Sequence, residues 1–250
     1  MGADEYLTQI INKYAVNEAG VKACVETVYP TIQQWAGAYL IEAVYSGSIA
    51  KGTAITLATD ADVFVSLSSS TPNTLSEIYN SLYVTLSNAG YQALKQNVSI
   101  GISVRGYKID IVPGKRQSQY GGDHSLYKNK TSTWTKTNIS THISQVANSY
   151  RLNEIKLTKI WRQLNSLDFP SFYLELAVMD CLSGRLYKNI SENFWEVLRF
   201  LKDDFITRRY ADPANTNNII SDDLSNNGKQ TVRQVAKIAR TKKHWSEIIW

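Results

Sequence analysis

Thiols, imidazoles and prolines are scarce in this 250-residue chain, which has two cysteines, three histidines and five prolines. Cys24 and Cys181 lie far apart in apolar, helical contexts, so buried free thiols in a reducing setting are expected rather than a disulfide. Two isolated cysteines and three isolated histidines give zinc no ligand set at usable spacing. No apolar run approaches the roughly 18 residues that a membrane span needs. The opening MGADEYLTQIINKY lacks the basic and apolar regions of a secretory signal, and Tyr6 stands where a myristoylation site would need Ser or Thr. A cytoplasmic protein with no membrane attachment is expected.

What is present is an ordinary globular composition, 43% hydrophobic and 20% charged, which excludes a disordered or fibrous chain. The net charge of +5 is unevenly spread. Residues 1–100 carry 4 Lys/Arg against 8 Asp/Glu, and residues 101–250 carry 23 against 14. The cationic excess lies where a polyanionic partner could be met, although part of it is what any solvated surface carries.

Apolar spacing predicts helix over 3–37, with Leu7, Ile10, Ile11 and Tyr14 on one face and Pro30 near the end. A strand follows over 39–46, running into Ser46-Gly47-Ser48. Residues 60–67 alternate, with Asp60, Asp62 and Phe64 on one face and Ala61, Val63, Val65 and Leu67 on the other, the mark of a half-buried strand. A helix over 75–88, alternation over 98–104 and a strand over 107–112 ending at Pro113-Gly114 come next. The polar stretch 115–137 reads as a long loop or a short extra hairpin. Beyond about 140 the pattern is helical, near 140–150, 154–166, 171–183, 189–204 and 229–241, without convincing strands. The expected class is α+β: a mixed-sheet lobe over 1–137 and a helical lobe over 138–250, with no internal repeat.

Carboxylates at i and i+2 on a strand point the same way, so Asp60 and Asp62 can ligate the same ions. Asp110, in Lys108-Ile109-Asp110-Ile111, joins them if its strand lies beside 60–67. Three hard oxygen donors suit Mg²⁺, and a pair of such ions about 3.5–4 Å apart activates a hydroxyl and neutralises a departing pyrophosphate. The Gly47-Ser48 turn lets backbone N–H groups approach phosphates without a Cβ in the way. Each piece alone is commonplace; the ordered set of strand, Gly-Ser, Lys51-Gly52-Thr53, D-x-D strand and later Asp is far more specific.

Ser46-Gly47-Ser48-Ile49-Ala50-Lys51-Gly52-Thr53, Asp60-Ala61-Asp62-Val63 and Ile109-Asp110-Ile111-Val112-Pro113 together resemble the signature of the polymerase-β nucleotidyltransferase superfamily. The likeness is greatest to the branch holding oligoadenylate synthetase, cyclic GMP–AMP synthase and the bacterial CD-NTases. Thr141-His142-Ile143, Lys159-Ile160-Trp161-Arg162, Pro170-Ser171-Phe172-Tyr173-Leu174-Glu175-Leu176 and Asp212–Asn218 resemble the helical-lobe motifs of that branch in order and spacing. The resemblance spans roughly 40–250. It implies a bilobal enzyme in which Asp60, Asp62 and Asp110 hold two Mg²⁺ ions, with Mn²⁺ as a substitute, and Asp110 helps to deprotonate the acceptor hydroxyl. Gly47 and Ser48 would bind the triphosphate, Lys159 and Ser171 would reach the β- and γ-phosphates, and Phe172 would stack on the donor base. The zinc-bearing insertion of the animal DNA sensor is absent.

Read from residues alone, Lys159 is equally a surface lysine beside an apolar stripe, Phe172 equally plain core, and His142 a structural or helix-start residue. Glu175 is expected to be paired, because an unpaired buried carboxylate is costly. On 229–241, Lys229, Arg233, Lys237 and Arg240 form a basic stripe, extended by Lys242 and Lys243. It is either a solvated face or a rim for an oligonucleotide product, a nucleic acid or a protein partner. The resemblance implies an enzyme that makes a cyclic or linear nucleotide signal from NTPs or dNTPs in anti-phage defence, kept in check by a regulatory protein. The alternative is template-independent transfer onto a macromolecule, either tailing of nucleic acid or nucleotidylation of tRNA or protein as a toxin.

Overall fold

The expected N-terminal helix divides in two. In the computed structural model, which describes residues 2–58, 60–186 and 189–250, α1 (Ala3–Lys13) ends before Asn17, whose side chain accepts from the Gly20 N–H at 3.2 Å and starts α2 (Glu18–Ala36). α2 runs through Pro30, because Val28 and Ile32 on either side are buried and hold the helix to the sheet beneath. Strand β1 (Leu40–Tyr45) then leads through the single-turn helix α3 (Gly47–Ala50) to β2 (Asp60–Leu67).

A capping box starts α4 (Leu75–Asn88): the Thr74 hydroxyl accepts from the Glu77 N–H while the Glu77 carboxylate accepts from the Thr74 N–H. After it come β3 (Leu94–Lys95), β4 (Ile100–Val104), β5 (Tyr107–Arg116), β6 (His124–Lys128) and β7 (Thr133–Thr137). The sheet order is β1-β2-β5-β4-β3, with β6 joining β5 to β7. β2 and β5 run parallel and every other pair antiparallel, so the sheet is mixed, as expected. The polar stretch after 115 holds the short hairpin β6–β7.

Two strands differ from their expected form. β2 is half-buried only over its first three residues; from Val63 onward both faces are covered. The Phe64 ring meets His124 edge-on at 4.9 Å, and the buried Ser66 hydroxyl lies 2.8 Å from His124 Nε2. β5 does not end at Pro113-Gly114 but continues to Arg116. Its pairing with β4 reaches only Ile111, and pairing with β6 begins at Lys115, so Pro113 falls in the gap where a missing N–H costs the ladder nothing on that side.

The later helices are α5 (Ile139–Ala147), α6 (Leu152–Leu164), α7 (Ser171–Cys181), α8 (Ile190–Asp203) and α9 (Asn226–Ala239). Where no strand was expected, β8 (Ala211–Asp212) and β9 (Asn215–Ile219) form a small hairpin. Its polar Asn-rich sequence has none of the alternation that marks a half-buried strand.

By packing, the chain forms two compact units. The helical one contains Met1–Val16, Gly52–Ala58 and Gln145–Trp250; the sheet-bearing one contains Asn17–Lys51 and Thr59–Ser144. Composition placed a single boundary between 137 and 138. The packing instead puts α1 in the helical unit, because Leu7, Ile10 and Tyr14 join the cluster of Ile160, Trp161 and Leu198. Tyr14 also donates its hydroxyl to the Trp250 carbonyl at 2.6 Å. Both cysteines are free thiols, and among the described residues no helix is long and apolar enough to cross a membrane.

Candidate active site

Parallel pairing of β2 with β5 sets Asp62 directly beside Asp110, with Asp60 beside Lys108. Register neighbours in a sheet point to the same face, so the two carboxylates share one patch. Asp60 is exposed at the strand's start, and its charge acts on both of the others. Burial first, then the charges of Asp110 and Asp60, push the Asp62 carboxyl up to about 6, against the opposing pull of Lys51 and an N–H bond from Ser48. Burial, and next Asp60, also raise Asp110.

The turn before α3 is built around Asp62. The Ser46 N–H donates to the Asp62 carbonyl at 2.8 Å, and the Ser48 N–H donates to its carboxylate. Gly47 has φ +56, and a Cβ there would overlap the Asp62 carboxylate. Glycine is thus required twice, by the left-handed backbone and by the space the carboxylate fills. Lys51, nearly buried, adds a cation to this patch.

Asp110 has a partner that no sequence pattern signalled. The Gln96 side-chain N–H donates to Asp110 Oδ1 at 2.7 Å. Gln96 follows β3 in a polar turn, so only the pairing of β3 with β4 and of β4 with β5 brings it to the carboxylate.

The set fits a hard divalent cation: oxygen donors on registered strands, whose like charges disfavour one another when no cation is near. Among the described residues, no three acidic, imidazole or thiol side chains come close enough to hold an ion by themselves. Asp62 and Asp110 form the close pair, and Asp60 stands at its exposed edge.

In the helical unit, Lys159 is not a surface lysine. Its Nζ lies 2.6 Å from Glu175 Oε1 and 2.8 Å from the Thr53 hydroxyl, which itself donates to Glu175 at 3.0 Å. All three are buried, and Glu175 is paired as expected. Ser171 opens α7, exposed, and accepts a 3.0 Å bond from Arg162. Phe172, half-buried, packs against the helical core. His142 lies near the start of α5.

The basic stripe of α9 survives only in part. Lys229 is buried with its Nζ over the Tyr173 ring, and Arg240 stacks on Trp195 at 4.0 Å while donating to the Trp195 carbonyl. Arg233 and Lys237 are exposed and line one hollow together with Arg240, Lys202 and Asp203. Helical spacing gave these residues a common side, but Lys229 is drawn inward over Tyr173, while Arg240 lies on Trp195 and still reaches the hollow beside Arg233 and Lys237.

The Second Messenger Oligonucleotide or Dinucleotide Synthetase domain, SMODS, matches residues 1–149. Among solved structures, CdnC of E. coli MS115-1 in its complex with HORMA-deltaN is 19% identical, covering 95% of this chain and 89% of that one, with a TM-score of 0.76. The CD-NTase CdnG of Bradyrhizobium diazoefficiens in complex with GTP is 13% identical, with 96% and 93% covered and a TM-score of 0.76. The Cid1 poly(U) polymerase H336N mutant bound to MgATP is 14% identical, with 94% and 92% covered and a TM-score of 0.68. No curated protein matches the chain. A mixed sheet that aligns two aspartates across parallel strands, a glycine turn moulded to one of them and the SMODS match over more than half the length lead to one assignment: the chain belongs to the SMODS family of nucleotidyltransferases.

Proposed function

We propose that the protein is a metal-dependent enzyme that joins NTPs or dNTPs into a cyclic or linear oligonucleotide signal. The observation that carries this reading is the registered Asp62–Asp110 pair, edged by Asp60 and enclosed by the Gly47-Ser48 turn. Asp60, Asp62 and Asp110 would hold two Mg²⁺ or Mn²⁺ ions, with NTP phosphate oxygens supplying further ligands. When bound, the ions supply charge neutralisation for the departing pyrophosphate and a lowered pKa for the attacking hydroxyl.

The chain's own groups do the rest. The missing Gly47 side chain makes room for Asp62, its left-handed backbone turns a peptide edge toward phosphate, and the Ser48 hydroxyl contacts phosphate while its N–H steadies Asp62. Asp110 accepts the proton of the acceptor hydroxyl. Orientation and preorganised charge account for most of the acceleration. Ser171 and Phe172, at the outer turn of α7, are assigned to triphosphate and donor base. Lys159 takes the same phosphate role only by exchanging Glu175 for phosphate oxygens. CdnC has been solved with ATP and with HORMA-deltaN, which supports an NTP substrate and a regulatory protein partner here. A role in anti-phage defence rests on the family resemblance alone.

The likeness to Cid1 favours a second reading, untemplated tailing of a nucleic acid. Purified protein incubated with labelled NTPs and dNTPs, Mg²⁺ or Mn²⁺, and then phosphatase, distinguishes the two. Small phosphatase-resistant products, lost in the Asp60→Asn/Asp62→Asn variant, are expected. A ladder on added RNA would move the assignment to tailing, and no product, with the Asp60→Asn/Asp62→Asn variant and the wild type alike in NTP and Mn²⁺ binding, would remove the signal-synthase reading.

A further inference from the structure

Gln96 lies outside every motif that carries the family resemblance, yet it is built into the carboxylate patch from three sides. Its backbone is fixed first: the Gln96 N–H donates to the Ser99 carbonyl at 3.0 Å, and the Tyr79 hydroxyl of α4 donates to the Gln96 carbonyl at 2.7 Å. The side chain is fixed next. The Ser99 hydroxyl donates to Gln96 Oε1 at 2.9 Å, which leaves Nε2 to donate to Asp110 Oδ1 at 2.7 Å. A carboxylate only accepts, so the amide has one orientation that satisfies both partners.

Gly101 provides the third, independent observation. It stands opposite Asp110 in the β4–β5 register, and its backbone angle is one that other residues adopt freely. A Cβ there would lie 2.6 Å from Gln96 Nε2 and 3.1 Å from Asp110 Oδ1. The missing side chain is therefore the space through which the Gln96 amide reaches the carboxylate. A glycine in a central strand, which costs stability, is accounted for by this crossing.

We propose that Gln96 is a positioning residue whose amide fixes the Asp110 carboxylate, occupying Oδ1 and presenting Oδ2 to the metal and the acceptor hydroxyl. This rests on the metal-dependent reading of the same site. Without the amide, Asp110 rotates among conformers of which only some address the ion, and partners that orient a ligand in this way are worth about tenfold or more in affinity or rate.

The test is Mn²⁺ binding to the full-length protein with a non-hydrolysable NTP analogue, read from the free-ion electron paramagnetic resonance signal, alongside steady-state kinetics. Gln96→Met keeps the stem and loses the donor. Gly101→Ala keeps every atom of Gln96 and displaces its amide. Asp62→Asn is the reference for a lost ligand, and thermal melts report folding. Both variants are expected to weaken Mn²⁺ binding about tenfold and to lower kcat about tenfold with KM for NTP near the wild-type value. Wild-type Mn²⁺ affinity in both, with Asp62→Asn defective, would overturn the role of Gln96 and leave the metal reading intact. No Mn²⁺ binding by the wild type would overturn both. If Gln96→Met fails to fold, Gln96→Ala, which also removes the donor and leaves Asp110 untouched, decides in its place, because the Cβ of Gly101→Ala would also press on Asp110 Oδ1 at 3.1 Å.

Discussion

At the scale of single residues, the carboxylate patch is a place where stability is given up. Asp62 has its carboxyl raised to about 6 by burial and by Asp110 and Asp60. In the unfolded chain it ionises near its ordinary value, so the folded state holds the proton to higher pH. The site is therefore favourable below the unfolded value, and that contribution is lost as pH rises through about 6. At pH 8 without divalent cations, Asp62→Asn is expected to raise the melting temperature by several degrees, on the order of 3 kcal/mol at most for a shift of roughly two units. Near pH 4 the gain should vanish. Adding Mg²⁺ and an NTP analogue should reverse the ranking, since only the wild type has the ligand. Differential scanning fluorimetry in EDTA and then in Mg²⁺ checks each part, and equal melting at pH 8 would contradict the repulsion.

How far the sequence was legible follows from the range of each signal. Asp60, Asp62, the Gly-Ser turn and the start of β2 were readable because alternation and an i, i+2 pair are local, whereas Asp110 joined them only on the condition that its strand lay beside β2. Gln96 and the burial of Lys159 were not. Gln96 meets Asp110 through two strand pairings, and Lys159 finds Glu175 sixteen residues on and Thr53 more than a hundred away. Spacing could suggest that Glu175 needed a partner but could not supply it.

Among elements, α6 and α7 are joined by that buried ion pair. Removing one charge leaves the other desolvated, so Lys159→Met is expected to cost about 3–5 kcal/mol in denaturant melts. The double variant Lys159→Met/Glu175→Gln should recover a large part of the loss. A double-mutant cycle showing additive losses would mean that the two charges are not coupled. The helices were easy to place in the sequence because their apolar stripes span several turns. β3, β8 and β9 were missed because two to five largely polar residues carry no periodicity. β5 was cut short because Pro113 normally ends a strand, and only the change of partner from β4 to β6 shows why it does not.

For the whole molecule, chain order and packing order differ. The helical unit draws on three separate stretches, and α1 supplies Leu7, Ile10 and Tyr14 to its core, while Ile55 comes from the 52–58 segment. A fragment spanning 145–250 would therefore lack part of its own interior. It is expected to show helical circular dichroism without a cooperative melt. Addition of a peptide spanning 1–16 should restore some cooperativity, because the Tyr6 and Tyr14 hydroxyls bond the carbonyls of Ile249 and Trp250. A sharp transition for 145–250 alone would show that these contributions are dispensable.

The fit of Asp62 into the hollow at Gly47 also orders how such a site decays in a lineage. While the aspartate remains, every side chain at position 47 collides with it, so position 47 is closed to drift. Once a descendant loses the carboxylate, the collision is gone and only the left-handed backbone remains, which Asn tolerates. A side chain at position 47 is therefore expected only where position 62 no longer carries a carboxylate.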